Sequence, residues 1–314
     1  MSDFWKNKRV SITGGEGFLG GHVVRLLKNK KPKNISIVRH TDYDLVNNDD
    51  VKKMYSIQKP DIVFHLAATV GGIGVNQRNP GKFFYENAIM NLQVIHNAYL
   101  AKIEKIISIG TVSVYPENSP IPFEEKNIWN GYPQEDSAPY GIAKRIMHTH
   151  SLSYRKQYDF NSIMMILTNL YGPNDNFNND TSHVIAALIK RFYEAKKNNE
   201  KEVIVWGNGD STRDFCYIED IATGIISAAE SYNESEPLNL ASGREITIKK
   251  LVMIIKKQMN YNGEIIWDKS MPMGSDRRNV NIGLARTKIN YEPKFSLEDG
   301  IKKTIESYID SRKS

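Results

Sequence analysis

Short apolar runs alternate with amphipathic stretches through the first half of this chain. The runs have the length of buried strands, and the stretches between them repeat their apolar positions with the period of a helix. The predicted strands are Arg9–Thr13, Asn34–Val38, Asp61–Leu66, Lys105–Ile109 and Asn161–Leu167. The predicted helices are Phe18–Lys30, Asp49–Gln58, Gly81–Ala101 and Ala138–Tyr158. This alternation predicts an α/β fold built on a doubly wound parallel sheet, with helices on both faces.

The pattern becomes less regular after residue 172. The later predicted elements are a polar loop at Pro173–Ser182, a helix at His183–Asn199, a strand at Val203–Trp206, and helices at Thr247–Asn260 and Leu297–Ser311. We interpret this half as a smaller substrate-binding lobe interleaved with the first. The predicted division assigns 1–172 and 214–233 to a Rossmann domain, and 173–213 and 234–314 to the lobe.

Composition narrows the class of protein only slightly. The chain has 314 residues, 40% of them hydrophobic and 25% charged, and a mean hydropathy of −0.47. It lacks a signal-peptide core and an apolar run near the ~20 residues that span a bilayer. The single cysteine, Cys216, excludes an internal disulfide and a multi-cysteine metal site. These features predict a cytoplasmic protein that uses no metal and contacts no membrane.

The net charge of +6 raises the question of a nucleic-acid partner. The basic residues are scattered and interleaved with Asn and Glu, and they form no long tract. This distribution favours a solvated surface over nucleic-acid binding. A modest basic surplus also suits small polyanions such as nucleotide sugars.

A glycine-rich loop follows the first predicted strand. Gly14, Gly17 and Gly20 form a G-x-x-G-x-x-G spacing between that strand and the next helix. The first two let the backbone turn tightly and approach a pyrophosphate, and Gly20 lets the helix pack close to the sheet. The helix start, at Phe18 and Leu19, offers unpaired N–H groups and a positive dipole end. The loop therefore predicts a dinucleotide site.

The end of the second strand bears on the choice of dinucleotide. NAD sites usually carry a carboxylate there for the ribose 2′-hydroxyl, whereas an arginine suits the 2′-phosphate of NADP. Here the strand ends in Val38-Arg39-His40, and no acid follows until Asp42 and Asp44. The pattern favours NADP as the cofactor. The alternative is that Arg39 is simply a solvated strand-end residue.

A tyrosine and a lysine lie four residues apart at the start of the helix Ala138–Tyr158. Tyr140 and Lys144 therefore share one face of that helix. The same spacing occurs twice elsewhere, but only this pair follows a strand that ends in hydroxyl side chains. On an extended chain those hydroxyls, of Thr111 and Ser113, would point in the same direction.

These residue types suit the reduction of a ketone. Hydride addition creates an alkoxide that must be protonated, and the hydride itself belongs to a nicotinamide. A phenol with a free pKa of ~10 needs a nearby cation to stabilise its phenolate. Lys144 can supply that cation, while Thr111 can donate a hydrogen bond to the carbonyl oxygen.

The glycine loop, His65-Leu66-Ala67-Ala68 and Tyr140-x-x-x-Lys144 together resemble the extended short-chain dehydrogenase/reductase family. Further stretches resemble its GDP-L-fucose synthase branch, whose members epimerise and reduce a GDP-4-keto-6-deoxymannose with NADPH. Those stretches are Ala68-Thr-Val-Gly-Gly-Ile73, Thr168-Asn-Leu-Tyr-Gly-Pro-Asn-Asp-Asn-Phe177, Ser182-His-Val-Ile185 and Val205-Trp-Gly207. The match runs from about residue 9 to the final helix.

The resemblance implies a set of functional residues. The implied catalytic residues are Thr111, Tyr140, Lys144 and His183, the last as an acid in epimerisation. The implied cofactor contacts beyond the glycine loop are Arg39, Asp44, Leu45, Leu66, Ala67, Ala68, Ile109, Lys144, Asn169 and Leu170. The implied contacts to a GDP-sugar are Ser113, His183, Arg191, Trp206, Arg213 and Arg277. The resemblance also implies a homodimer formed through the helices at Gly81–Ala101 and Ala138–Tyr158.

The chain departs from the branch at Ser113. There the branch reads G-S-S-C-x-Y-P, and its cysteine removes the proton beside the ketone; Cys216 lies far away in this sequence. A thiol with a pKa of ~8.5 ionises far more readily than an alkyl hydroxyl. We therefore expect C4 reduction to be kept and C3/C5 epimerisation to be lost.

Three other functions stay open from the sequence. One is a bifunctional synthase that uses another base, and another is a GDP-sugar C4 dehydrogenase with tightly held NAD(H). The third is a silent nucleotide-binding regulator, which the intact Tyr140/Lys144 pair disfavours. The sequence also leaves open whether the sugar is a 6-deoxyhexose or a heptose, since the two differ by little more than one hydroxylated carbon.

Overall fold

The computed structural model describes residues 3–71, 73–178, 181–270 and 277–313. The strands are β1 (Arg9–Thr13), β2 (Asn34–Val38), β3 (Ile62–His65), β4 (Lys105–Thr111), β5 (Ser162–Leu167), β6 (Asn169–Tyr171), β7 (Glu202–Trp206), β8 (Thr212–Tyr217), β9 (Leu238–Leu240), β10 (Glu245–Thr247) and β11 (Glu264–Asp268). The helices are α1 (Phe18–Lys30), α2 (Asn48–Gln58), α3 (Ile73–Arg78), α4 (Pro80–Leu100), α5 (Ala138–Tyr158), α6 (Val184–Lys197), α7 (Ile218–Ser231), α8 (Ile248–Gln258), α9 (Gly283–Ile289) and α10 (Leu297–Ser311).

The main sheet has six parallel strands in the order β2-β1-β3-β4-β5-β9. Helices α2, α4 and α5 pack side by side, and α1 packs against α7. Because strand addition reverses direction between β2 and β3, right-handed crossovers place α1 and α2 on opposite faces. The predicted α/β fold with a doubly wound parallel sheet is confirmed. The reversal also creates a crevice at the carboxyl ends of β1 and β3, where such folds bind ligands.

A second body of structure follows β5. It contains a sheet of three strands in the order β10-β8-β6 and a parallel pair, β11-β7. Its own apolar core includes Tyr171, Phe192, Val205, Leu251 and Ile301. This core lies beside the carboxyl ends of the main strands, since β6 continues almost directly from β5. The second body can therefore supply groups to the crevice.

The predicted division into two domains stays a prediction, and one strand bears on it. Strand β9 completes the six-stranded sheet although it lies within the segment 234–314 that was assigned to the lobe. The chain thus returns to the main sheet after residue 234. The predicted domains also include residues 1, 2, 72, 179, 180, 271–276 and 314, which lie outside the described residues.

A buried lysine ties the amino-terminal end of β4 to helix α7. The ammonium of Lys105 donates to the carbonyl oxygens of Ala228, Ala229 and Tyr232 at 3.2, 2.8 and 2.5 Å. These are carbonyls of the last turn of α7 and of the residue that follows it, a part of a helix where carbonyl groups lack a full set of partners within the helix. Burial lowers the pKa of Lys105 to about 8. The contact anchors the strand whose other end carries Thr111.

None of the described helices is both long and apolar enough to cross a membrane.

Candidate active site

The glycine loop between β1 and α1 has the geometry that a dinucleotide diphosphate requires. Gly14 has a φ of +69°, and a Cβ there would lie 2.8 Å from the Ala67 nitrogen. A Cβ on Gly20 would lie 2.0 Å from the Gly14 oxygen. Helix α1 begins at Phe18, with no side-chain cap and no acid in its first turn. Its amino-terminal N–H groups are thus left for an anion, so the residues fit the predicted group.

A buried hydrogen-bond chain fixes the backbone opposite this loop. Thr13 Oγ1 accepts from the Ala67 N–H at 3.1 Å and lies 2.9 Å from His65 Nδ1. His65 Nε2 lies 3.0 Å from the Asn91 amide oxygen. Burial, with a smaller effect of Lys144, lowers the pKa of His65 to about 3. The ring is therefore neutral, and the chain is consistent if Nε2 carries the hydrogen and Thr13 donates to Nδ1. Sequence analysis missed Thr13 and Asn91.

Arg39 lies beside the glycine loop, where the sequence analysis expects it. Its Nε donates to a Glu16 carboxylate oxygen at 2.6 Å, and both side chains are exposed. Such exposed pairs are weak, so the guanidinium remains accessible to a phosphate. Asp44 accepts the Val46 N–H at 3.0 Å, and Leu45 is buried. The predicted adenosine contacts of Asp44 and Leu45 remain predictions.

The other predicted cofactor residues lie along the edge of the sheet. Leu66, Ala67, Ile109 and Leu170 are partly buried against the main core. Ala68 is also partly exposed. Asn169 donates to the Asp214 carbonyl at 3.2 Å, which holds β6 against β8. Within the family-like stretch Ala68–Ile73, Gly72 lies outside the described residues.

Tyr140 and Lys144 lie one turn apart at the start of α5. The Lys144 ammonium is 5.7 Å from the centroid of the Tyr140 ring. Lys144 is only 2% exposed, and burial lowers its pKa to about 8. Burial raises the pKa of Tyr140, although the Lys144 ammonium lies nearby. The phenol therefore keeps its proton at neutral pH, which suits a proton donor.

The hydroxyls of Thr111 and Ser113 are arranged differently from the expectation. Strand β4 ends at Thr111, and the next three residues form a 3₁₀ turn. Thr111 Oγ1 accepts the Ser113 N–H at 3.4 Å. The two side chains are therefore not related as alternate residues of one strand, and the predicted parallel orientation is wrong. Both are partly exposed at the sheet edge.

Helix α5 comes into close contact with this turn. A Cβ on Gly141 would lie 2.2 Å from the Ser113 carbonyl oxygen. Only glycine permits this separation, because real Cβ atoms do not come so close to an oxygen. The approach sets Tyr140, the preceding residue, beside the turn that holds Thr111.

The second body contributes a histidine and an arginine–tryptophan pair. His183 precedes the first turn of α6; solvent reaches its ring, yet the surrounding protein lowers its pKa, as in a cleft. The Arg191 guanidinium lies 5.0 Å from the Trp206 ring centroid and donates to the Ile204 carbonyl at 3.1 Å. Trp206 is 49% exposed. An exposed aromatic face beside a cation suits a nucleobase.

Two further predicted substrate contacts, Arg213 and Arg277, are both held by neighbouring protein groups. Arg213 Nη1 donates to the Thr212 carbonyl at 2.7 Å. Arg277 forms a two-pronged ion pair with Glu245, at 2.7 and 2.8 Å, on an exposed surface. A guanidinium held this way has two of its donors occupied. The structure therefore gives little support to Arg277 as a substrate contact.

The neighbouring Arg278 links the second body to the segment before Tyr140. Its backbone N–H donates to the Thr212 carbonyl at 3.1 Å. Its side chain donates to the Gln134 amide oxygen, and burial lowers its pKa. Gln134 precedes the short turn that leads into α5. Arg278 was not among the residues predicted for the site, although it directly follows Arg277.

In the described ranges, no group of three His, Cys, Asp or Glu side chains is placed to hold a metal ion.

A glycine loop, a Tyr/Lys helix and a hydroxyl-bearing strand end on one parallel sheet define a class of enzyme. The chain belongs to the NAD dependent epimerase/dehydratase family, whose profile matches residues 10–241. A curated relative, the putative GDP-L-fucose synthase 2 of Arabidopsis thaliana, is 34% identical over 306 residues, which cover 98% of this chain and 93% of the relative.

Two solved structures from Campylobacter jejuni are also similar. A GDP-6-OMe-4-keto-L-xylo-heptose reductase superimposes with a TM-score of 0.91, at 27% identity over 98% of this chain and 99% of that one. A GDP-mannoheptose C4 reductase with NADP bound superimposes with a TM-score of 0.88, at 26% identity over 97% and 99%. The family expected from the sequence is confirmed.

Replacing Gly20 by Ala should weaken dinucleotide binding, because the new Cβ would lie 2.0 Å from the Gly14 oxygen and displace the loop. Titration of the Gly20→Ala protein with NADPH and NADH should show affinity lower by about tenfold or more. The adjacent Gly21→Ala is a matched control, since no atom lies within 4 Å of its Cβ. The Gly21→Ala protein should bind NADPH normally, and its free energy of unfolding should be higher by ~0.5–1 kcal/mol. Equal binding by both variants would contradict the assignment of the loop.

Proposed function

We propose that this protein is an NADPH-dependent reductase of the C4 ketone of a GDP-linked 4-keto sugar. The observation that carries the proposal is the pairing of a proton-bearing Tyr140 with a buried Lys144, on a helix packed against the turn after Thr111. The relatives support it, because the solved C. jejuni enzymes are described as reductases of GDP-heptoses. The sugar is a 6-deoxyhexose or a heptose.

Several residues support NADPH as the cofactor. The glycine loop would hold the diphosphate, and Arg39 would meet the 2′-phosphate after releasing Glu16. The C4 reductase from C. jejuni has NADP bound. When bound, the nicotinamide supplies the hydride.

The side chains at the start of α5 would transfer a proton to the carbonyl oxygen of the substrate. Tyr140 donates its phenolic proton to the carbonyl oxygen as negative charge develops there. Thr111 donates a hydrogen bond to the same oxygen and orients it. Lys144, with a pKa of about 8, is mostly protonated at neutral pH and stabilises the phenolate that remains. Tyr140 then recovers a proton from solvent.

The second body would hold the nucleotide and the sugar. Arg191 and Trp206 suit the guanosine end, and Arg213 suits the diphosphate. Arg277 would contact the diphosphate after releasing Glu245, and the neighbouring Arg278 is a second candidate for this contact. His183 would contact the sugar.

We infer that C3/C5 epimerisation is lost. Ser113 has its N–H donated to Thr111 and its carbonyl packed against Gly141, and neither contact would ionise its hydroxyl. Cys216 cannot replace the missing thiol, since it is buried in β8 with its Sγ 3.4 Å from the Tyr291 hydroxyl. Burial also raises the pKa of the Cys216 thiol, which disfavours the thiolate.

The resemblance and the surface support a homodimer through α4 and α5. These two helices expose large apolar side chains to solvent, which is typical of an interface. Those side chains are Phe84, Tyr85, Leu100 and Tyr158.

The direct test of the proposed function is a panel of 4-keto sugar nucleotides with [4-²H]NADPH. GDP-4-keto-6-deoxymannose and a GDP-4-keto heptose should oxidise the cofactor, and NMR should place deuterium at C4 of the product. The matching UDP and dTDP sugars are controls and should react far more slowly. Faster turnover of those controls would refute the guanosine assignment, and no turnover of any member would refute the reductase.

Incubation with the keto sugar in D₂O, without NADPH, tests the loss of epimerisation. We expect no deuterium at C3 or C5, because a serine hydroxyl is too weak a base to remove a carbon-bound proton. The variant Ser113→Cys restores a thiol at the same position and should begin to exchange one of these protons. Rapid exchange by the unaltered protein would show that a base other than a cysteine is present.

A further inference from the structure

We propose that Arg145 is a positioning residue for proton delivery, which holds the turn after β4 at a fixed place relative to Tyr140. Arg145 lies on α5, next to Lys144 in sequence, and is 7% exposed. Arg145 was not among the predicted site residues, and our proposal gives it no contact with the cofactor or the sugar. The inference rests on the proposed reductase function, and the experiment below separates the two.

The guanidinium joins two segments of chain that both lead to the site. Nε donates to the Val114 carbonyl at 2.8 Å, and Nη1 donates to the Gly131 carbonyl at 2.8 Å. Val114 closes the 3₁₀ turn that begins after Thr111. Gly131 lies on the segment that returns towards Tyr140. One rigid, planar group thus fixes both segments at once.

The two ends of the long connection between β4 and α5 pair with each other and form a narrow neck, and Arg145 binds beside it. Pro116 and Pro133 pair across this neck, and the Glu117 N–H donates to the Tyr132 carbonyl at 3.0 Å. Arg145 spans the same neck from the side of the helix. Arg145 therefore bonds to the chain on both sides of the neck, at Val114 before it and at Gly131 beyond it.

Arg145 adds a directed contact between α5 and the turn to a second close contact on the same helix. That second contact is the packing of Gly141 against the Ser113 carbonyl. Positions 141 and 145 lie on one face of the helix, one turn apart. Two contacts define the rotation as well as the distance of a helix, so together they determine where Tyr140 points relative to Thr111.

The surroundings of Arg145 indicate a geometric role more than a stabilising one. Among the described residues no carboxylate forms an ion pair with it, and its Nη2 is buried without a hydrogen bond. The Trp129 ring lies 5.7 Å from the guanidinium carbon, and burial lowers the pKa of Arg145. Keeping an unpaired cation here is costly compared with an apolar side chain of similar size. The two directed hydrogen bonds are what an apolar residue could not supply.

Arg155 offers a matched control on the same helix. Its Nη2 donates to Asn161 Oδ1 at 3.1 Å and to the Ser162 carbonyl at 3.2 Å, and its Nε is buried without a partner. It lies about 15 Å further along the helix axis, where it holds the start of β5. Loss of Arg155 should cost stability without altering the site.

The experiment compares Arg145→Met, Arg145→Lys and Arg155→Met with the unaltered protein, using a GDP-4-keto sugar and NADPH. Arg145→Met should lower kcat by about tenfold or more, with the NADPH Kd and the sugar KM within twofold of normal. The solvent deuterium isotope effect on kcat should rise, because proton transfer becomes slower. Arg145→Lys should recover part of the rate, and Arg155→Met should keep normal kcat and isotope effect.

The outcomes distinguish the two proposals. If the unaltered protein reduces no GDP-4-keto sugar, the proposed function fails first. If it is active and the folded Arg145 variants keep its kcat and isotope effect, the positioning role is refuted. If Arg145→Met does not fold, as judged by circular dichroism, Arg145→Lys decides: reduced kcat with normal NADPH affinity supports the role, and normal kcat overturns it.

Discussion

The close packing of helix α5 on the turn after β4 is the constraint on which this site depends. Gly141 allows the helix backbone to approach the Ser113 carbonyl more closely than any side chain would permit. The same helix carries Tyr140 and Lys144, so the approach brings an acid and a cation to a strand end that bears a hydroxyl. The glycine loop lies at the same edge of the sheet because β1 and β4 are parallel. Tyrosine, lysine and threonine are common residues, and it is their positions in this fold that make them a specific site.

The charges of the site are governed by burial. His65 is held neutral by burial and, to a smaller degree, by the nearby charge of Lys144, so its ring does not add a second cation beside that lysine. Lys144 keeps a pKa of about 8 in spite of being almost fully buried. Burial also raises the pKa of Tyr140. The phenol therefore stays protonated until negative charge develops on the substrate oxygen, and the phenolate that results then has a cation to stabilise it.

Much of this arrangement was predictable from the sequence. Apolar runs separated by helical periods are strong signals, so five main strands and their helices were located within a few residues. Strands β6, β9 and β10 have three residues each, too short for a period to show. Helix α7 was missed because it follows β8 with no turn residue between them.

The differences between prediction and structure at the site also have physical causes. The predicted orientation of Thr111 and Ser113 was wrong because a 3₁₀ turn begins directly after Thr111, so Ser113 does not lie on an extended chain. The ion pair of Arg277 with Glu245 could not be predicted either, since Glu245 is distant in sequence, and the role of Arg277 stays a prediction. The role of Arg145 depends on two carbonyl groups, and main-chain acceptors leave no signature in a sequence.

The measurement that tests the central claim most directly is the single-turnover rate of Tyr140→Phe with NADPH and a GDP-4-keto sugar. The account predicts a rate lower by about 10²-fold or more, with NADPH affinity unchanged, because only the phenolic proton has been removed. An undiminished rate would contradict the claim that Tyr140 delivers the proton.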